Sequence, residues 1–234
     1  AYEILRCLVG SEICIRDRDK VKTFTIGMED EKYNEAVYAK EIAAYLGTEH
    51  TELYITEEDA RSVIPKIPFI FGEPFADSSQ IPTYLVSRMT REHVTVSLSG
   101  DGGDELFCGY NSYMSVDRLW NKIRQVPYGI RKLAGELVLH SPLANKETYR
   151  VKGTLLGARG ASDLYRLSME REPIIRKIAL SKKELPYKYT EYDPEFLRET
   201  NHNIMLMDML MYHPDDILVK VDRTAMAVSL ETRV

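Results

Sequence analysis

Hydrophobic and polar residues alternate in three short stretches of the first half of the chain. These stretches are Val21–Ile26, His50–Ile55 and Val94–Leu98, and a period of two is typical of β-strands. Apolar residues at helical spacing lie between them, at Ala39, Ile42, Ala43 and Leu46, and again from Ile81 to Met89. Strands that alternate with helices in this order predict a parallel, doubly wound sheet with right-handed crossovers, and therefore an α/β fold.

Several residues mark where the predicted helices begin and end. Asn34 is a predicted N-cap and Gly47 a predicted C-terminal cap of the first helix. Thr56–Asp59 resembles a capping box at the start of the next helix. Pro65 and Pro68 limit how regular that helix can be, because proline cannot donate a backbone hydrogen bond.

After Tyr110 the strand signals stop, and an all-helical C-terminal part is predicted. The expected division is an atypical segment over 1–18, an α/β core over 19–115, a helical subdomain over 116–200 and helices that return to the core over 201–234. Within the last segment, Asp222 and Arg223 interrupt a mostly apolar helix. Because a buried charge needs a partner, this pair could face a functional site. The alternative is an ion pair on the protein surface.

Three glycines and three acidic residues follow the third predicted strand, in the run Ser99-Gly100-Asp101-Gly102-Gly103-Asp104-Glu105. In an open α/β sheet, the loop at the carboxyl end of a strand is where ligands bind. Glycine backbone N–H groups suit an anion, and carboxylates suit a hard cation such as Mg²⁺. The run therefore predicts a site for nucleotide phosphate and metal, with a solvated Gly/Asp turn as the alternative.

The composition argues against several classes of function. A formal net charge of −5 and the lack of a long basic run argue against nucleic-acid binding. Three cysteines, none in a C-x-x-C pair, argue against a disulfide scaffold or structural zinc site and favour a reducing compartment. The most apolar stretch, Ile204–Met211, is too short to span a bilayer. We therefore expect a cytoplasmic protein with no membrane partner.

Four stretches together resemble the synthetase domain of glutamine-dependent asparagine synthetases. They are Thr23–Asp30, Glu73–Ser79, Ser99–Tyr110 and Asp215–Val234. The resemblance implies a sheet of the adenine-nucleotide α-hydrolase-like type, also called the PP-loop ATP pyrophosphatase type. It also implies an ATP-dependent carbon–nitrogen ligase that uses ATP and Mg²⁺ to convert aspartate to β-aspartyl-AMP. Ammonia, which a separate glutaminase domain releases from glutamine, then attacks to give asparagine.

The resemblance assigns roles in nucleotide binding to particular residues. By position, Ile26 would hold the adenosine, and Ser99 and Gly100 would contact the nucleotide through the loop backbone. Asp104 would bind magnesium pyrophosphate, with Glu105 beside it. These assignments agree with what acyl-adenylate formation needs, because N–H groups and Mg²⁺ neutralise charge on the leaving pyrophosphate.

The resemblance also assigns residues to the reacting groups. Asp101 falls where many members have Glu, at a position implicated in forming the acyl-adenylate. Tyr110 and Asp216 resemble the pair that assists amine attack in relatives. Asp77–Ser79 would line the acceptor side. The expected partners are aspartate and ammonia, and the full-length protein being a homodimer is left open.

The chain departs from the family pattern in several ways. The phosphate-binding PP-loop, S-G-G-[IL]-D-S, is not among these residues, and neither are the downstream pyrophosphate-binding lysine and the glutaminase domain. The segment Cys7–Arg18 does not match the family, and a foreign junction is our hypothesis for it. Cys108 stands where glycine is usual. We therefore expect little or no synthetase activity from the 234 residues alone.

Two other interpretations remain open. A related ATP-dependent amidotransferase or cyclase could use the same adenylating loop on a different carboxylate. A non-catalytic remnant would explain the missing phosphate-binding loop. Exchange of pyrophosphate into ATP with different carboxylates separates the first from asparagine synthesis, and calorimetry with magnesium ATP tests the second.

Overall fold

The computed structural model describes residues 20–28, 34–169, 197 and 199–234. The expectations for 1–18, and for the part of the helical subdomain over 170–196, lie outside the described residues. In chain order the elements are β1 (Lys22–Met28), α1 (Ala36–Leu46), β2 (Glu49–Ile55), α2 (Glu57–Val63), a 3₁₀ turn (Ile64–Lys66), α3 (Ile67–Phe71), α4 (Gln80–Arg91), β3 (Val96–Leu98), α5 (Gly103–Phe107), α6 (Asn111–Ile123), α7 (Tyr128–His140), a 3₁₀ turn (Pro142–Asn145), α8 (Glu147–Leu156), α9 (Ala161–Met169), α10 (Thr200–Leu210), a π-helix (His213–Ile217), α11 (Leu218–Met226) and β4 (Glu231–Arg233).

The first two strands form the predicted parallel unit. β1 and β2 pair in parallel from Lys22 opposite Glu49 to Met28 opposite Ile55, and α1 connects them. Gly47 ends α1 as predicted, with φ of 70° and its N–H directed at the last carbonyls of the helix. Only glycine adopts this left-handed conformation without a steric cost.

Local sequence signals predicted the N-terminal caps of α1 and α2 to within one residue. α1 begins at Ala36, and Asn34 Oδ1 accepts its N–H at 3.2 Å, although the N-cap position itself is Glu35. The predicted capping box is confirmed, because Thr56 Oγ1 accepts the Asp59 N–H and Asp59 accepts the Thr56 N–H. The two prolines do interrupt the helix, which continues as a 3₁₀ turn and then as α3.

The described strands form two parallel pairs, β1–β2 and β3–β4, rather than one sheet. The α/β class and the parallel pairing are therefore confirmed, and the single doubly wound sheet is not. The third strand begins at Val96, two positions later than predicted. β4 was not predicted at all, although its pairing to β3 places Arg233 opposite Leu98, at the start of the glycine-rich run.

The chain forms two compact units. The first comprises the residues up to Gly109 together with Met209–Val234, and the second comprises Tyr110–Asp208. In the first unit, α11 packs on α4, and a core cluster of Val63, Tyr84 and Leu85 lies under β1 and β2 with Ile26, Ile55 and Val228 packed against it. Burying apolar surface of this kind contributes about 25 cal/mol per Å².

The second unit is helical over its described residues. α7 packs closely on α8, since a Cβ on Gly135 would lie 2.5 Å from the Gly153 carbonyl oxygen. The buried guanidinium of Arg131 donates to the carbonyl oxygens of Leu156 and Ala158 at 3.1 and 2.9 Å. It thereby satisfies the Leu156 carbonyl group at the end of α8 and the Ala158 carbonyl group just beyond it. No helix in the described ranges combines the length and hydrophobicity needed to cross a bilayer.

Candidate active site

The glycine-rich run forms a tight turn between β3 and α5. The Ser99 N–H donates to the Arg233 carbonyl oxygen of β4 at 2.8 Å, and the Gly103 N–H donates to the Gly100 carbonyl oxygen at 3.0 Å. Gly102 has φ of 89°, in the left-handed region where a side chain would be strained. The turn is therefore anchored at its start by the neighbouring strand and shaped by glycine at its end.

The carboxylates of this turn lie at different depths. Glu105 is 1% exposed, whereas Asp101 and Asp104 are half-buried. The Asp104 carboxylate lies directly against Gly109, where a Cβ would collide with its Oδ1 atom. The Gly109 N–H donates to the Asp104 carbonyl oxygen at 2.9 Å. Gly109 therefore leaves the space that the Asp104 carboxylate occupies.

A second segment, distant in sequence, packs against the same turn. The π-helix His213–Ile217 brings His213 so close to Gly102 that a Cβ there would lie 3.0 Å from the imidazole Nε2. π-turns are rare and frequent at functional sites, because the extra residue redirects side chains. The π-helix also carries Asp216, the predicted partner in amine attack.

Lys220 connects this segment to the loop before α4. Its ammonium donates to Asp77 Oδ2 at 2.7 Å and to Ser79 Oγ at 2.6 Å. The other oxygen of Asp77 accepts from the Ser79 backbone N–H and hydroxyl, both at 2.8 Å. The side chains of Lys220 and Asp77 are only 9% and 16% exposed. We call Asp77, Ser79, Asp216 and Lys220 the lysine cluster.

The two carboxylates of the lysine cluster have opposite pKa shifts. Burial alone would raise the pKa of Asp77, but hydrogen bonds from Lys220 and Ser79 outweigh it and lower the pKa. Burial raises the pKa of Asp216, and the negative charge of Asp77 raises it further, while Lys220 acts in the opposite direction. The Asp77 carboxylate is thus stabilised in its ionised form, while Asp216 binds a proton more readily than an ordinary aspartate does.

The structure brings most of the sequence-predicted residues into the first unit. Ser99, Gly100, Asp101, Asp104 and Glu105 share the turn, and the side-chain oxygen of Ser99 is buried without a hydrogen-bond partner among the described residues. Asp77–Ser79 and the π-helix lie in the same unit. Lys220 links the stretches Glu73–Ser79 and Asp215–Val234, and the hydrogen bond from Ser99 to Arg233 links the latter to Ser99–Tyr110.

Ile26 and Tyr110 were also predicted as site residues, and they belong to different units, Ile26 to the first and Tyr110 to the second. Ile26 is half-buried near the end of β1 and packs against the Val63–Tyr84–Leu85 cluster. Tyr110 belongs to the second unit, where its ring lies edge-on to that of Tyr113 with 5.5 Å between centroids.

Sequence reasoning missed Lys220 and His213. The pattern singled out Asp222 and Arg223 as the unusual charges of the last helix, yet both are exposed, and Arg223 donates to the Phe71 carbonyl oxygen at 2.5 Å. The available signal was the apolar neighbours of Lys220 in Ile217-Leu218-Val219-Lys220-Val221. A lysine among apolar residues of a helix indicates a buried charge that needs a partner, but this pattern does not identify Asp77 as the partner.

The described residues contain no group of three or more His, Cys, Asp or Glu side chains that could hold a metal by themselves. Mg²⁺ usually takes only one or two protein carboxylates and completes its shell with water and substrate phosphates. A single carboxylate such as Asp104, seated beside the glycine turn, fits that mode.

Comparison of the sequence with known proteins identifies one family. The profile of the asparagine synthase family matches residues 12–234. The Bacillus subtilis asparagine synthetase [glutamine-hydrolyzing] 1 is 33% identical over 223 residues, which cover 92% of this chain and 34% of that protein. A Methanocaldococcus jannaschii protein, provisionally named asparagine synthetase [glutamine-hydrolyzing] 2, is 36% identical over 221 residues, which cover 90% of this chain and 41% of that protein.

A plant relative matches over a shorter stretch. The Arabidopsis thaliana asparagine synthetase [glutamine-hydrolyzing] 3 is 36% identical over 111 residues, or 45% of this chain. The chain spans about a third of the length of the Bacillus relative. Because the family profile covers nearly all of its residues, the chain belongs to the asparagine synthase family.

Proposed function

We propose that this chain supplies part of the synthetase site of a glutamine-hydrolysing asparagine synthetase. Such an enzyme makes asparagine from aspartate, ATP and ammonia derived from glutamine. The observation that carries the proposal is the meeting of the glycine turn, the lysine cluster and the π-helix in one compact unit. These segments contain residues from three of the four stretches that resemble the family, and carboxylates suited to adenylation and amine attack.

The glycine turn would bind the nucleotide. The loop backbone at Ser99 and Gly100 would contact the nucleotide, which can come close because glycine has no side chain. Since the Ser99 N–H donates to Arg233, the N–H of Gly100 is the one that would face the phosphate oxygens. Asp104 would hold Mg²⁺ together with those oxygens, and Mg²⁺ would supply charge neutralisation for the departing pyrophosphate. Asp101 would lie beside the acyl phosphate being formed, and Glu105, buried beneath the turn, would keep it rigid.

The lysine cluster would serve the second half of the reaction. As the nitrogen of ammonia bonds to the acyl carbon, the bond from that carbon to the AMP oxygen breaks and the nitrogen must lose a proton. Asp216 is the proposed proton acceptor, since its raised pKa makes it a better base than an ordinary carboxylate. Tyr110 takes the assisting role that the resemblance assigns to it, and Asp77 and Ser79 line the acceptor side.

We further propose that β1–β2 and β3–β4 are parts of a doubly wound sheet of the PP-loop type. Both pairs are parallel, and β1 and β2 are joined by a helical crossover, as that fold requires. The 234 residues contain no S-G-G-[IL]-D-S phosphate loop. By themselves they are therefore expected to show little or no turnover.

Pyrophosphate exchange tests the proposal in the full-length protein. Aspartate should drive exchange of labelled pyrophosphate into ATP, and Asp104→Asn should reduce this exchange by about 100-fold or more, because charge neutralisation is usually the largest catalytic effect. Asp117→Asn, at a half-buried position on α6 in the second unit, is the matched control and should leave exchange unchanged. Exchange driven by another carboxylate instead of aspartate would favour a related amidotransferase or cyclase, and no exchange with any carboxylate would reject the proposed reaction.

A further inference from the structure

The ammonium of Lys220 is the buried positive charge of the lysine cluster, and nothing in the resemblance gives it a role. An ammonium has three N–H donors. Two are used at 2.7 and 2.6 Å on Asp77 and Ser79. A lysine this deeply buried is costly unless its charge is compensated, so its position indicates that the charge has a use.

The positive charge of Lys220 acts electrostatically on the Asp216 carboxylate. Asp216 lies four residues before Lys220, in the π-helix that leads directly into α11. Among the described residues, the charged groups that act on Asp216 are Asp77, from the loop before α4, and Lys220, from α11. Asp77 and Lys220 act on it in opposite directions. The balance between them therefore sets how easily Asp216 binds a proton.

We propose that Lys220 is a positioning residue for amine attack: it fixes the Asp77–Ser79 loop and keeps Asp216 ionised, so that Asp216 can accept the proton released by ammonia. This proposal depends on the proposed function for the role of Asp216. The positioning itself depends only on the contacts within the lysine cluster. Lys220 does not touch the reacting atoms and takes no proton in the reaction.

Removing the positive charge should have a definite effect. With methionine at position 220, two carboxylates would remain close together in a partly buried site without a cation. Two neighbouring carboxyl groups in such a site do not both ionise easily. Asp216, whose pKa is the raised one, would therefore hold its proton more tightly. Asp216 would then remain protonated to higher pH and would accept a proton less readily over that range.

The first experiment needs no enzymatic activity. The carboxyl groups of aspartate are labelled with ¹³C in the 234-residue chain, and the Asp216 signal is identified by its loss in Asp216→Asn. In Lys220→Met its titration midpoint should move up by about one pH unit or more, and in Asp77→Asn it should move down. Lys132→Met removes an exposed lysine of the second unit, 54% exposed in its side chain, and should leave the midpoint unchanged.

The second experiment measures kcat against pH in the full-length protein, with added ammonia. Lys220→Met should move the acidic limb of the profile upward by about one pH unit and so lower kcat about tenfold on that limb, with the KM for ATP within about twofold. Lys220→Arg keeps the charge and should restore most of the profile. If Lys220 only stabilised the fold, Lys220→Met would change the protein yield or the KM values but would not move the acidic limb of the kcat profile.

The outcomes separate the two proposals. If the NMR midpoints move as stated but no carboxylate supports synthesis, the proposed function fails and the electrostatic role of Lys220 stands. If Lys220→Met folds and its Asp216 midpoint is unchanged, the inference is wrong even in an active enzyme. Should Lys220→Met not fold, Asp77→Asn decides alone, because a midpoint that does not fall contradicts the proposed balance.

Discussion

Each compact unit buries a carboxylate among partners from distant parts of its sequence, but the two carboxylates are compensated differently. In the first unit, Asp77 accepts from the ammonium of Lys220 and from Ser79. In the second, Asp208 is 1% exposed and accepts from the hydroxyl groups of Tyr113 and Tyr165 at 2.6 and 2.7 Å. An ammonium group brings a full positive charge to a carboxylate, whereas a phenol hydroxyl brings a hydrogen bond without a net charge.

The backbone shows the same contrast. Among the described residues, every positive φ angle lies in the first unit, including those of Cys108 at 59° and Ser229 at 60°, which are not glycines. Unfavourable dihedral angles persist where the surrounding structure enforces them, and they are frequent at functional sites. The first unit thus combines buried charge with backbone strain, and the second is a regular helical scaffold over its described residues.

The largest expected effect comes from removing the cation of the first unit. Lys220→Met leaves the Asp77 carboxylate buried without its counter-ion, which should lower the free energy of unfolding by about 3 kcal/mol at pH 7. The pKa of Asp77 is lowered in the folded state. The stabilisation is therefore present above the unfolded pKa of about 3.9 and lost as pH falls through the folded value.

Urea unfolding at pH 7 and at pH 3 checks this prediction. The difference between the wild-type chain and Lys220→Met should shrink at pH 3, with Lys132→Met as the control in both conditions. An equal loss of stability at the two pH values would show that packing, not charge, is what Lys220 contributes.

A smaller effect is expected in the second unit. Tyr113→Phe removes one hydroxyl donor from the buried Asp208 carboxylate and should cost about 2 kcal/mol, typical of a hydrogen bond to a charged group. Tyr165→Phe should behave similarly, because its hydroxyl donates to the same carboxylate. Chemical unfolding measures both. If Tyr113→Phe lowered the free energy of unfolding more than Lys220→Met does, the buried carboxylate of the second unit would be the more important one for stability.

The glycine beside Asp104 offers a contrast in packing. Gly109→Ala would drive a Cβ into the Asp104 carboxylate, and the overpacking should cost about 1.5 kcal/mol. Gly129→Ala in the second unit has open space around the new Cβ and should be neutral or slightly stabilising, because alanine favours helix. Thermal unfolding of the pair tests whether the first unit is the less tolerant.

The smallest expected effect is a gain. Cys108 ends α5 in the left-handed conformation, which costs a residue with a side chain more than it costs glycine. Cys108→Gly should therefore stabilise the chain by about 1 kcal/mol. Ser115→Gly, in the regular helix α6, serves as the opposite control and should destabilise it. If Cys108→Gly also destabilised the chain, contacts of the thiol would outweigh the strain.

The parts of the fold that sequence predicted correctly are those decided by near neighbours. Gly47 and the Thr56 capping box act within a few residues of their own helix ends, and β1 and β2 show their alternation directly. β4 was missed because Glu231-Thr232-Arg233 has no hydrophobic pattern and is a strand only through its distant partner β3. Its pairing depends on long-range contacts that no local window contains.

The candidate site shows the same limit. The glycine turn was recognisable because glycines and carboxylates adjoin in sequence. Lys220 was not, because the partners that define its role, Asp77 and Ser79, are far away along the chain. The resemblance to the family indicated the Asp77–Ser79 loop, but the ion pair between Lys220 and Asp77 that holds this loop is evident only from the structure.

The pairing of β4 with β3 has a consequence for biosynthesis. The Ser99 N–H is anchored by the Arg233 carbonyl oxygen, so the start of the glycine turn is not tied down until that residue has been translated. Ribosomes add about 5–20 residues per second, so the roughly 130 intervening residues take on the order of ten seconds to make. Throughout that interval the nascent chain carries an unpaired strand edge, which is the kind of surface that chaperones protect.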